Sequence, residues 1–223
     1  MDRSLRLADA TALTDLLTYL GRADRINRAS ARLTAEQGVL AVYTAVLHPA
    51  GLLDETPTVL GLRTIEVPAE DELDEVVPIA SLTARLQGVD ASAAGLITVP
   101  LPAPVHTVTW SGIAPPRAGW VAVDQVGADT LIEVARAGSA EVAAALGGNT
   151  GEKLVQRVRT EVWGRPIPGL EHVPAGAAFA AATLGFVVDP LEQIPVYESG
   201  PWTRLSAERG HILVKRKGWS LLS

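Results

Sequence analysis

Cysteine is absent from the 223 residues, and the only methionine is Met1. That excludes disulfides, thiolate metal sites and cysteine nucleophiles. Aromatic residues make up 4% of the chain. Lysine is scarce, with 3 residues against 16 arginines, and the formal charge is −6. A net acidic chain argues against a general nucleic-acid binder, whose affinity comes from neutralising phosphates. No long hydrophobic run is present either. The longest uncharged apolar stretch, Val173 to Val188, has 16 residues with alanine the commonest, against the roughly 20 strongly apolar residues of a bilayer span. Asp9 and Asp15 occupy the place where a signal peptide would need its apolar core. The expectation is a cytoplasmic protein with no membrane partner.

What is present is a core-forming chain, 48% hydrophobic and 20% charged, which is the composition of a globular protein and not of a disordered one. The acidity is uneven. Residues 1–111 carry 8 bases and 14 acids, whereas residues 112–223 balance at 11 and 11. The acids concentrate at Glu66, Glu70, Asp71, Glu72, Asp74 and Glu75, which reads as a solvated acidic loop, or else as a place for a cation or basic partner.

Periodicity gives the element order. Leu5, Ala12, Leu13, Leu16, Leu17 and Leu20 share one side of a helical wheel, predicting an N-terminal helix capped by Ser4 and stopped at Gly21. Ala29, Ala31 and Leu33 alternate with polar residues, and Val39 to Leu47 is rich in branched residues. This favours a hairpin turning at Gly38, although Thr34 to Gln37 also fits a capping box and residues 39–47 also fit a helical face. Strands are predicted at Thr58–Val67, Leu96–Val99 and Val105–Trp110, the last forming a hairpin with Trp120–Val123. Pro78 to Leu86 reads as a short helix. Helices dominate residues 128–188, including a wholly buried one from Pro174 to Val188. A last hairpin joins Trp202–Ser206 to His211–Lys217. The fold class is therefore α+β: a mainly antiparallel sheet built from hairpins, with an N-terminal helix and a helical block at 128–188, forming one domain over 1–223.

Catalytic signatures do not stand out. The stretch Gly147 to Lys153 has the flavour of a phosphate loop, but Glu152 separates Gly151 from Lys153 and Leu154 follows where a hydroxyl is needed. The four histidines, at 48, 106, 172 and 211, lack chelating spacing, so no metal or other cofactor is expected. Tryptophan placement is less random. Trp163 and Arg165, Trp202 and Arg204, and Arg117 and Trp120 form three neighbourhoods at element boundaries beside prolines. An aromatic plate beside a guanidinium fork suits a small anion. His106, on one face with Val108 and Trp110, joins these as a candidate ligand-binding residue.

The stretches LLDETPTVLGLRTIEV, VQRVRTEVWGRPIPGL, PAGAAFAAATLGF and GPWTRLSAERGH together resemble a family of uncharacterised conserved hypothetical proteins from actinobacteria. The resemblance implies no activity, cofactor or site residue. From the residues themselves, the expected function is a non-catalytic binding or interaction protein for a small anionic ligand or a partner segment, and a homo-oligomer. The alternative is an enzyme of unrecognised class, using His106 or His211 with a carboxylate such as Asp124 or Glu133 as general acid and base.

Overall fold

The computed structural model describes residues 3–26, 30–49, 51, 54, 56–90, 95–106, 108–112, 114–145 and 151–216. The fold is α+β with antiparallel strand ladders and, among the described residues, five α-helices. It divides into two compact units, one of residues 1–45 and 62–113, the other of residues 46–61 and 114–223. Among the described residues no helix is long and apolar enough to cross a membrane.

The first unit holds strand β1 (Ser4–Leu7), helix α1 (Ala10–Ile26), strand β2 (Ser30–Glu36), residues 39–45 of strand β3 (Val39–Leu47), residues 62–66 of strand β4 (Thr58–Glu66) and strand β5 (Leu73–Pro78). Helix α2 (Ile79–Gln87) and strand β6 (Ile97–Pro100) complete it. Ser4 is in a strand and does not cap the first helix. Leu5 and Leu7 alternate with Ser4 and Arg6 and pair with Val99 and Ile97 of β6, so a two-residue period, not a helical one, governs them. The helix starts later, where the Asp9 carboxylate accepts the Ala12 N–H at 2.8 Å. It also runs through Gly21. One glycine costs about 1 kcal/mol relative to alanine, less than the burial of Leu16, Tyr19, Leu20 and Ala23 on the same face returns.

Residues 39–47 are a strand, settling the two periodicities that the sequence allows. β2 and β3 pair from Ala31–Thr44 to Glu36–Val39, closed by a two-residue turn with φ of 52° at Gln37 and 83° at Gly38, the left-handed pair that matches strand twist. The strand order in this unit is β5-β2-β3-β4. Tyr19 reaches from α1 to this sheet, its hydroxyl 2.8 Å from Thr44 Oγ1, and burial pushes its pKa well above the ordinary tyrosine value.

The acidic stretch is not simply a solvated loop. Its second half forms β5, paired with β2 from Ala35–Leu73 to Ser30–Pro78. The chain supplies the cations: Arg6 bonds Asp71 and Glu70, Arg3 bonds Glu75 at 2.8 Å and Arg32 grips both oxygens of Asp74. Arg6 lies on β1, Arg3 directly before it and Arg32 on β2.

The predicted hairpin of Val105–Trp110 with Trp120–Val123 does not form. The described residues from 101 to 108 have no strand, and Thr109–Gly112 is a single 3₁₀ turn. Prolines at 100, 102, 104, 115 and 116 remove the N–H donors a ladder would need. Strand β7 (Val121–Gly127) pairs instead with a strand 70 residues on, β10.

In the second unit β7 leads into helices α3 (Ala128–Ala145) and α4 (Glu152–Gly164), then the short strands β8 (Pro166–Ile167) and β9 (Leu170–Pro174). Helix α5 (Ala175–Thr183) and strands β10 (Gln193–Ser199), β11 (Trp202–Ala207) and β12 (Gly210–Lys215) follow. The sheet order is β12-β11-β10-β7, with antiparallel neighbours throughout that run. Helix α5 packs on α3, α4 and β12. It is buried nearly all round, as its composition predicts, but ends at Thr183 and not Val188. The chain reverses at Gly185, φ 71°, with the Phe186 N–H donating to the Ala181 carbonyl at 2.9 Å. The glycine stretch 147–150 lies outside the described residues, as does the end of the predicted last strand at Lys217.

Candidate functional site

The alternation of three strands builds the site. Cross-strand pairing sets Leu213 of β12, Arg204 of β11, Tyr197 of β10 and Ala122 of β7 in one row across the second unit's sheet. Residues in such a row project to the same face. The Arg204 guanidinium lies over two rings, its Cζ 4.5 Å from the Trp120 centroid and 4.7 Å from that of Tyr197. Both are cation–π distances.

Trp120 enters this row from the turn before β7. Its indole N–H donates to the Pro116 carbonyl at 3.0 Å, which fixes the plate over the strand end. Two of the three tryptophan–arginine neighbourhoods therefore meet, through Arg204 and Trp120. Between its aromatic neighbours Arg204 is partly desolvated, and this burial lowers its pKa from the usual arginine value. The residue stays cationic. Its Nε is enclosed without an acceptor. A buried donor of a charged group left unanswered is costly.

The other predicted site residues are placed elsewhere. Trp163 and Trp202 are each 2% exposed and belong to the core. The Trp163 ring stacks on Phe179, centroids 4.4 Å apart and planes at 26°. Arg165 turns away to grip both oxygens of Glu141, at 2.7 and 2.8 Å. Arg117 is exposed on the turn before Trp120, and His106 is exposed in the irregular segment after β6. Of the carboxylates paired in expectation with a histidine, Asp124 accepts the Gln125 N–H and Glu133 binds Arg136. His211 faces Ser206 across the β11–β12 ladder.

Two features escaped the sequence. Tyr197, the second plate, lies on β10, a strand that no periodicity announced because Pro195 interrupts it. A histidine–carboxylate pair also exists, but between unpredicted residues: His172 Nε2 is 3.4 Å from Glu198 Oε1, which also accepts Arg216 Nη1 at 2.8 Å. Among the described residues no group of three or more metal-ligating side chains is close enough to hold an ion.

Comparison with known proteins divides the chain in two close to residue 113. Residues 115–219 match the family described as "Domain of unknown function (DUF8185)", and residues 1–112 match "Domain of unknown function (DUF8010)". Comparison with curated sequences yields no match. Among solved structures the chain is similar to the sliding clamp, DNA polymerase III subunit beta, of Bartonella birtlesii bound to griselimycin. That likeness has a TM-score of 0.54 at 11% identity and covers 98% of this chain and 66% of the clamp. It is also similar to the DNA polymerase III subunit beta of Pseudomonas aeruginosa, with a TM-score of 0.52 at 10% identity, covering 98% of this chain and 66% of that one. The chain thus spans 66% of the length of both clamps, and at such identities the likeness is one of fold. With its first 112 residues matched over their whole length, the chain belongs to the family described as "Domain of unknown function (DUF8010)" and carries a fold similar to that of sliding clamps.

Proposed function

We propose that this protein is a non-catalytic binding protein of the cytoplasm, built on a sliding-clamp-like fold, whose second unit holds a small carboxylate-bearing ligand or partner segment at Arg204. The observation that carries this is the Arg204 guanidinium held at cation–π distance from both Trp120 and Tyr197. The plates fix the plane of the fork, which is the condition for two-point recognition of a carboxylate.

The test is calorimetric titration with N-acetylglutamate, citrate and inorganic phosphate. Arg204→Ala should weaken the tightest of these by about 1.5–3 kcal/mol, the worth of a charged hydrogen bond, or roughly 10- to 150-fold. Its thermal melting should stay close to that of the unaltered protein. Absence of binding to the unaltered protein, or equal binding to the variant, would end this reading.

The acid–base alternative finds its nearest geometry in His172 and Glu198. Arg216 already binds the same Glu198 oxygen that faces His172, so that carboxylate is shared and not given over to the imidazole. That favours binding over catalysis.

Self-association belongs to the same proposal. Val188 and Leu191, in the turn before β10, are 55% and 84% exposed, and exposed apolar groups are where a contact surface is sought. Sedimentation velocity should show an oligomer that Leu191→Glu converts to monomer. A monomer at high micromolar concentration would refute it.

A further inference from the structure

Among the described residues strand β7 is the last in its sheet order and pairs on one side only, with β10. Its residues 121–125 are all exposed, Val121 at 64% and Val123 at 49%. Proteins ordinarily blunt such an edge with lysine, proline, a covering loop or a β-bulge. Here two valines lie on it. The pairing with β10 shifts at Val123, which falls between the Asp124–Val196 and Ala122–Tyr197 pairs and has no partner of its own. Such a bulge re-aims neighbouring side chains.

The row of the candidate site ends on this strand. Ala122, its smallest member, is exposed. A residue of a further strand, paired opposite Ala122, would project to the face that carries Tyr197 and Arg204. Its immediate neighbours would project to the opposite face, where Val121 and Glu198 pair.

We infer that β7 is a docking edge for an extended segment of another protein, adding to the sheet as a strand, with an acidic residue reaching Arg204 over Ala122 and apolar residues on either side of it. This rests on the carboxylate reading of Arg204 and names the partner and its mode of entry. Main-chain hydrogen bonds would supply affinity and the alternating side chains specificity. The charge requirement follows from Arg204, whose neighbours across the strands are Tyr197 and Leu213 and not an acid. The chain's own acidic strand does not fit the role. In β5, Asp74 and Glu75 are held by Arg32 and Arg3, and the Val76 carbonyl already accepts the Val105 N–H at 2.7 Å.

The experiment is selection of a randomised eight-residue peptide library on the full chain, repeated with Arg204→Gln, Val123→Pro and Val123→Lys. Val123 stands at the bulge without a paired residue in β10, and proline there removes an N–H from the edge strand. Val123→Lys tests the same edge without a backbone change. The expected result is roughly tenfold or greater enrichment of peptides with one Glu or Asp flanked by Val, Ile or Leu. That enrichment should be lost in all three variants while their circular dichroism is unchanged. Enrichment lost with Arg204→Gln but kept by both Val123 variants would overturn strand addition and leave the carboxylate reading standing. Enrichment kept by Arg204→Gln, or none at all, would overturn the inference; if N-acetylglutamate still binds through Arg204, the carboxylate reading survives. A dimer of the pure protein that Val123→Lys dissociates would show that a second copy occupies the edge, and would overturn it too.

Discussion

Trp163→Ala should lower the stability of the protein by about 3–5 kcal/mol, the cost of truncating a buried aromatic. Trp163 is 2% exposed on α4, and its ring is shared by three helices. One face stacks on Phe179 of α5. Its edge lies under Gly138 of α3, where an added Cβ would stand 2.8 Å from Cη2 and closer still to Cζ3. Gly138→Ala is consequently expected to destabilise although it improves helix propensity. The propensity gain is about 1 kcal/mol, and overpacking against a ring held by its own stacking costs about 1–3 kcal/mol. The two substitutions should not add. In the Trp163→Ala background the clash is gone, so Gly138→Ala should turn neutral or stabilising. Urea unfolding of the four proteins measures the coupling. A loss below about 1 kcal/mol for Trp163→Ala, well under the range for a buried aromatic, would mean that the ring does not join these helices.

Phe186→Ala should have a comparable effect, again about 3–5 kcal/mol. Phe186 is 3% exposed and follows the reversal that ends α5. Its ring lies over the backbone of Gly210 at the start of β12, with Cε1 and Cζ at 2.5 and 2.6 Å from where a Cβ would stand. The ring and the glycine are complementary: one fills what the other leaves empty. Gly210→Ala alone should therefore destabilise as well. Combined with Phe186→Ala, its added methyl enters the vacated space, and the pair should cost less than the sum of the single losses. Strict additivity in denaturant would show that the two residues do not touch.

Local chemistry explains which elements were legible in the sequence. The β2–β3 and β11–β12 hairpins carry their turns within a few residues, at Gln37-Gly38 and Glu208-Arg209. Helix α2 starts directly after Pro78. The misread elements depend on distant partners. β5 looked like a charged loop because Arg3, Arg6 and Arg32, which answer its acids and those just before it, are about 40 to 70 residues away in sequence. β10 was hidden by Pro195, and with it went Tyr197, half of the cradle around Arg204. The pairing of Trp120 with Arg204 was legible only as two separate tryptophan–arginine neighbourhoods. Nothing local says that β7 skips its sequence neighbour to lie beside β10. Arg165 shows the converse. Its spacing from Trp163 imitates that of Arg204 from Trp202, yet Glu141 on α3 claims its guanidinium.

Helix α5 has a consequence for how the second unit absorbs change. Alanine and glycine make up six of its nine residues' buried surface at Ala175, Gly176, Ala177, Ala178, Ala180 and Ala181, and neither type has rotamers to lose on folding. The same property removes the usual means of repair. Most cores accommodate an altered neighbour by turning side chains into new wells, and these residues have none to turn. A volume change at Trp163 or Phe186 must therefore be met by displacing the helix as a body, so that damage at one end of α5 is delivered to the strand and helices against its whole length.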